Sequence, residues 1–176
     1  MKPFVHHEYL KRLDASAYRG RAYVHWSMTT KDRRAGWLNS TWHAIYREVL
    51  LHVCVRYELV SPVYCVMPDH LHLLLVGRKE TSDQRKAVRM LRQVMTARTK
   101  DMGFAWQQQA HDSVLREEDR QRDAFPHVVG YVRENPERAG LVKEREEWPF
   151  AGAMIPGYPD LDWRRKDFWD VFWKAT

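Results

Sequence analysis

Two apolar stretches, Val63–Met67 and His70–Val76, stand on either side of Pro68-Asp69 and constrain the fold more than any other part of the chain. Their residue types are those of strands, and Pro-Asp is a turn signal, so they are expected to pair as a hairpin. Tyr23–Thr29 is rich in β-branched and aromatic residues and reads as an earlier strand. A helix is expected between them, capped at Asn39, Ser40 or Thr41 and running to about Glu58. Its apolar residues Trp42, Ile45, Val49 and Val53 recur at three- and four-residue steps. Ser61-Pro62 breaks it.

A second helix is expected from a cap at Thr81, Ser82 or Asp83 to about Met102, with Val88, Leu91 and Met95 inward and Gly103 ending it. Phe104–Gln108 reads as a short fourth strand, Arg116–Arg122 as a charged stretch, and Phe125 to about Asn135 as a further helix ended by Pro136. Residues 1–20 read as an N-terminal arm, partly ordered at best; 21–150 as the main domain; 151–176 as a wrapping aromatic and basic C-terminal segment. The order strand–helix–strand–strand–helix–strand predicts an α+β, ferredoxin-like antiparallel sheet with helices on one face.

A length of 176 residues suits one domain with a sizeable core. The formal charge of +6 and a sequence pI near 9.4 favour polyanionic partners. Leu73–Val76 is far too short an apolar run to span a bilayer, and Met1–Leu10 has no apolar signal core. A soluble, cytoplasmic, nucleoid-associated protein without a membrane partner is therefore expected. Cys54 and Cys65 are expected to be buried, reduced thiols.

Met67-Pro68-Asp69-His70-Leu71-His72-Leu73-Leu74-Leu75 is the sharpest local feature. Side chains alternate along a strand, so His70 and His72 share a face while Leu71 and Leu73 take the other. Two imidazoles on one face of a rigid strand can chelate a divalent ion. Taken alone, such a pair is more often surface or core histidine than a ligand pair. On the later helix Tyr131 and Asn135 lie four residues apart and share a face, with His127 one turn earlier. Such a polar stripe suits a helix lying over a sheet-borne metal site. An ordinary amphipathic helix with a half-exposed tyrosine is the competing reading.

These motifs, with Trp106-Gln107, His111-Asp112-Ser113-Val114-Leu115-Arg116, Tyr131-Val132-Arg133-Glu134-Asn135-Pro136-Glu137-Arg138-Ala139-Gly140-Leu141-Val142 and Trp148-Pro149-Phe150, occur in one order from about Tyr23 to Phe150. In that order they resemble the REP-associated tyrosine transposases, relatives of the single-tyrosine HUH insertion-sequence transposases. The resemblance implies the HUH nuclease fold, a catalytic Tyr131, and metal ligation by His70 and His72 with Asn135 completing the set. It implies Mg²⁺ or Mn²⁺ as cofactor. It implies cleavage and rejoining of single-stranded DNA at palindromic repeat hairpins through a 5′-phosphotyrosine. A DNA-hairpin binding protein without catalysis is the alternative. Where relatives often carry Trp-Pro-Trp-Ser-Ser, this chain has Trp148-Pro149-Phe150-Ala151-Gly152, a difference of packing rather than chemistry.

Between Arg78 and Lys100 lie eight basic and two acidic residues, and Arg85, Lys86, Arg89 and Arg92 are expected to follow phosphates from the second helix. Arg33 and Arg34, and Arg164, Arg165 and Lys166, are further phosphate-contact candidates. Trp163, Phe168, Trp169 and Trp173 serve either as a base-stacking surface or as hydrophobic anchors, with at least two expected to be anchors. A monomer is favoured, with a dimer as the other option.

Overall fold

The computed structural model of the chain describes residues 12–115, 124–158 and 160–175. The expected charged stretch at 116–122 and most of the N-terminal arm lie outside these residues. The described strands are β1 (Tyr23–Thr29), β2 (Leu59–Val66), β3 (His70–Gly77), β4 (His111–Leu115) and β5 (Ala151–Met154). The helices are α1 (Ser40–Arg56), α2 (Gln84–Arg98), α3 (Ala124–Arg138) and α4 (Phe168–Ala175). The strands form one sheet in the order β4-β1-β3-β2-β5, with every neighbouring pair antiparallel. β3, which carries the His-x-His pair, is therefore its central strand.

β1 explains how the sheet acquires two faces. Val24, Trp26 and Met28 are buried on one side, while Tyr23, His25, Ser27 and Thr29 alternate onto the other. In β3 the same alternation puts Leu71, Leu73 and Leu75 with the first set. α1 and α2 cover that first face through Trp42, Val49, Leu50, Val53, Val88, Leu91 and Met95. Asn39 caps α1 by accepting from the Trp42 N–H at 2.9 Å, and Asp83 caps α2 through the Lys86 N–H at 3.0 Å. Gln84 is buried beneath α2 and is satisfied there, accepting from the Trp26 indole N–H and donating to the Ala22 carbonyl.

Helices are not confined to one face. α3 and α4 lie over the second face, where Phe125, Val129, Val132, Phe168 and Phe172 meet Val60, Val63, Leu74 and Val76. The reason is in β3: after His72 it reads Leu-Leu-Leu-Val without alternation, the pattern of a strand buried on both sides. The ferredoxin-like order is thus kept, with a second helical layer added.

Three boundaries differ from expectation. The fourth strand is His111–Leu115, and the Phe104–Gln108 stretch contributes only a bridge between Thr30 and Trp106. Phe104 is drawn into the ring cluster of Trp37 and Trp42, and the carbonyls of Gln107 and Gln108 accept from Arg92 instead of a strand. Ser61-Pro62 does not break a helix but lies inside β2, at a register shift against both neighbouring strands. α3 runs through Pro136 to Arg138. Proline there sacrifices one bond of the last turn, and the end is closed by Gly140 at φ 69°, with Leu141 N–H donating to the Pro136 carbonyl at 2.9 Å.

The C-terminal segment does more than wrap: it supplies the edge strand β5 and helix α4. The described end of the N-terminal arm is also packed, with Tyr18 fully buried and its hydroxyl donating to Asp112 at 2.5 Å, where Arg12 is also paired. That fixes a structural role for Asp112. Cys54 and Cys65 are buried, free thiols, and burial pushes the Cys65 thiol up to about 12.

Candidate active site

The hairpin turn closes with the Met67 N–H donating to the His70 carbonyl at 2.7 Å, so β3 starts at the first histidine. His70 and His72 then project to the second face of the sheet, one pleat repeat apart, as their spacing predicts. Their Nε2 atoms are 3.1 Å apart. His72 is 5% exposed and His70 is partly exposed, so the pair opens from the core toward solvent.

Each ring is held from behind. His70 Nδ1 lies 2.6 Å from Asp69 Oδ1, whose other oxygen accepts from Arg33 at 2.9 Å. A carboxylate can only accept here, so His70 carries a proton on Nδ1 and donates it to Asp69. His72 Nδ1 lies 3.0 Å from Nε2 of His25, on β1. Desolvation lowers His72 to about 3, aided by His25 and His70, while Asn135 and Asp69 work in the opposite direction. Desolvation likewise lowers His25 to about 4, with His111 a smaller cause. Both rings are therefore neutral at pH 7, the state a metal ligand requires.

α3 brings the remaining groups. Its buried stripe of Phe125, Val129, Val132 and Pro136 anchors it on β2 and β3. This orientation lays the Tyr131 ring edge-on against His72 at 5.4 Å between centroids, and against His25 at 6.0 Å. The Asn135 side chain lies close enough to His72 to oppose the lowering of its pKa, and it donates to the Tyr131 carbonyl at 2.7 Å. The Arg138 guanidinium lies 5.4 Å from the Tyr131 ring centroid. His70, His72, Tyr131 and Asn135, far apart in sequence, thus converge, whereas His127 is solvent-exposed. Among the described residues no group of three His, Cys, Asp or Glu side chains is placed to hold an ion; the further polar side chain beside this pair is the Asn135 carboxamide.

Sequence reasoning missed His25 and Asp69. The signal for His25 was the alternation of β1, which puts it opposite Val24, Trp26 and Met28 and hence on the histidine face. Asp69 was read only as a turn residue.

The basic candidates divide. Arg85, Lys86 and Arg89 are exposed along α2 and line a groove with Arg12, Arg19, Arg92 and Trp106, in which Asp83 is the one carboxylate among the lining residues. Arg92 is partly committed, donating to the Gln107 and Gln108 carbonyls. The groove shares Trp106, Gln107 and Gln108 with a second one lined by Lys31 and Arg33. Arg34 is exposed nearby. Arg164 is held by Asp162 and the Glu146 and Trp148 carbonyls, and Arg165 by Asp167 at 2.7 Å. Lys166 is exposed beside them. Trp163 and Phe168 are buried anchors, Trp163 lying under the Arg133 guanidinium at 3.9 Å, while Trp173 is half exposed. No helix among the described residues is long and apolar enough to cross a membrane.

An antiparallel sheet with a His-hydrophobic-His pair on its central strand, faced by a helix-borne tyrosine, defines the HUH class of single-tyrosine proteins. The chain belongs to the IS200-like transposase family, whose model matches residues 19–115, the span from before β1 to the end of β4. That span contains His70 and His72 but stops short of Tyr131. A Haemophilus influenzae protein named as a REP-associated tyrosine transposase is 24% identical over 136 residues, covering 67% of this chain and 74% of its own. A solved structure titled as the REP-associated tyrosine transposase bound to a REP hairpin superposes with a TM-score of 0.65 at 22% identity, over 82% of this chain and 81% of that one. It shares the fold.

Proposed function

We propose that this transposase cleaves and rejoins single-stranded DNA at palindromic repeat hairpins through a 5′-phosphotyrosine on Tyr131. The observation that carries the reading is the approach of the Tyr131 ring to a pair of imidazoles whose Nε2 atoms lie 3.1 Å apart. That spacing suits two adjacent ligands of one six-coordinate ion with bonds of about 2.1 Å. His70, His72 and the Asn135 oxygen would hold Mg²⁺ or Mn²⁺, leaving positions for phosphate and water. Because Mg²⁺ prefers oxygen, the nitrogen-rich set should bind Mn²⁺ at least as well in vitro. When bound, such an ion polarises the scissile phosphate and stabilises charge on the departing oxygen.

The chain's own groups supply the rest. The phenol of Tyr131 gives up its proton to solvent as its oxygen bonds to phosphorus and the bond from phosphorus to the 3′ oxygen breaks; the 3′ oxygen leaves with the electron pair and takes up a proton from solvent. The covalent phosphotyrosine conserves the bond energy, so a later attack by a DNA hydroxyl can reseal a strand without ATP. Phosphates are followed by Arg85, Lys86 and Arg89 along α2. The track continues past Trp106 to Lys31 and Arg33, and Arg33 is paired with the aspartate that holds His70. Substrate thus has a basic route to the histidines. REP-type hairpins are proposed as that substrate because the solved relative is titled as bound to one.

The test is a covalent adduct on a denaturing gel after incubation with labelled hairpin DNA and Mn²⁺. The adduct should vanish in Tyr131→Phe while hairpin affinity is retained. An adduct that survives the substitution rejects Tyr131, and no adduct from the unaltered protein rejects catalysis in favour of hairpin binding alone.

A further inference from the structure

His25 belongs to none of the motifs that mark the family, yet its Nε2 lies 3.0 Å from His72 Nδ1 and its ring stacks on His72 at 5.1 Å between centroids. It is a diagonal neighbour across the β1–β3 ladder, where His25 pairs with Leu74 and Ser27 with His72. The three imidazoles form one chain, His25 to His72 to His70, ending on Asp69 Oδ1 at 2.6 Å.

The direction of that chain matters. Asp69 accepts a proton from His70 Nδ1, and with a lone pair on His70 Nε2 the contact between the two Nε2 atoms is closed either by a proton on His72 Nε2 or by a cation between lone pairs. Without a cation, His72 donates from Nε2 to His70, its Nδ1 is an acceptor, and His25 must donate from Nε2. With a cation, His72 Nε2 is a ligand, its proton must be on Nδ1, and His25 Nε2 must accept. Both states leave His25 and His72 neutral; only the sites of their two protons change, each ring giving one to water and taking one back. A donor-only group such as lysine could serve the first state alone, and a carboxylate the second alone. Imidazole serves both.

We propose that His25 is a positioning residue that reverses from donor to acceptor as the ion binds, and so sets the tautomer in which His72 can be a ligand. This rests on the metal reading of the site given above. It makes His25 the outer partner of His72, as Asp69 is of His70; removing such partners typically costs about 10- to 100-fold in metal affinity.

Long-range proton–nitrogen correlation spectra of the imidazoles test it directly. Metal-free protein should show His25 and His72 protonated on Nε2, and saturating Mg²⁺ should move both protons to Nδ1. His25→Phe keeps a ring against Tyr131 but has no hydrogen-bonding nitrogen, and should weaken Mn²⁺ binding about tenfold or more. His25→Gln, whose amide flips to offer either oxygen or N–H, should recover most of it. The inference is overturned if His25 keeps one tautomer while His70 and His72 respond to metal, if His25→Phe binds Mn²⁺ like the unaltered protein, or if Gln and Phe are equally impaired. Failure of the metal reading looks different: none of the three rings responds to Mg²⁺ at all.

Discussion

Asp69 occupies a turn, but its carboxylate makes two directional contacts, to His70 Nδ1 at 2.6 Å and to Arg33 at 2.9 Å. The pairing holds its carboxyl below the usual range, although burial works the other way. An ionised Asp69 orients His70 and increases its basicity toward a metal. Asp69→Asn is therefore expected to weaken Mn²⁺ binding by about 10-fold or more, read by titration with electron paramagnetic resonance. Arg33→Ala, at an exposed contact, should cost much less. At this scale the pairings within each element were legible: His70 with His72 from the two-residue period, Tyr131 with Asn135 from the four-residue step. His25 was not, because a single histidine in an aromatic strand gains meaning only when the register beside β3 is known. Nor could spacing identify which cations are committed; Arg165 is tied to Asp167 two residues away, and Arg92 to a carbonyl pair.

α3 carries the proposed nucleophile, Tyr131, with Gly130 immediately before it. A Cβ at Gly130 would meet only Glu134 Oε1, at 3.9 Å, so nothing in the packing demands glycine there. Gly130→Ala should then stabilise the protein by up to about 1 kcal/mol, through lower backbone entropy in the unfolded chain. Urea denaturation measures this. Because the Tyr131 ring already lies against His72, adduct formation should persist in the variant; its loss would mean that α3 must flex to react. Element by element, the hairpin, β1, α1 and α2 were legible because caps and periodicity agreed. What escaped depended on distant partners. Phe104 had strand-like neighbours but is claimed by Trp42 of α1 and by Trp37 in the loop before it. The second helical layer was foreshadowed by the unbroken Leu73–Val76 run, whose two-sided burial became evident only when α3 and α4 were seen above it.

Considered as a whole, the molecule is made sensitive to acid by buried groups that avoid protons and drawn to DNA by groups that keep them. Burial depresses His25 and His43 to about 4 and His72 to about 3, against about 6.5 in an unfolded chain. As pH falls below about 6.5 the unfolded state takes up these protons first, so stability of the metal-free protein should decline toward pH 4. His43→Gln, which keeps a polar group beside Tyr64, should make that decline shallower by at most about 1.4 kcal/mol per pH unit, measured by urea midpoints at pH 7 and pH 5. Arginine and lysine stay charged throughout, and the net charge of +6 alone would predict that any surface cation strengthens DNA binding equally. The fold argues otherwise. Arg85 and Arg89 are exposed in a groove with other cations, whereas Arg165 is already neutralised by Asp167 at 2.7 Å. A cation that releases no counterion from DNA leaves the salt dependence untouched. Removing Arg85 and Arg89 together should lower the slope of log affinity against log salt by about 1.4 for single-stranded DNA, two phosphate contacts at about 0.7 each. Arg165→Ala should leave the slope where it was. Equal slopes for the two variants, measured by fluorescence anisotropy over a salt series, would mean that the strand does not run along α2.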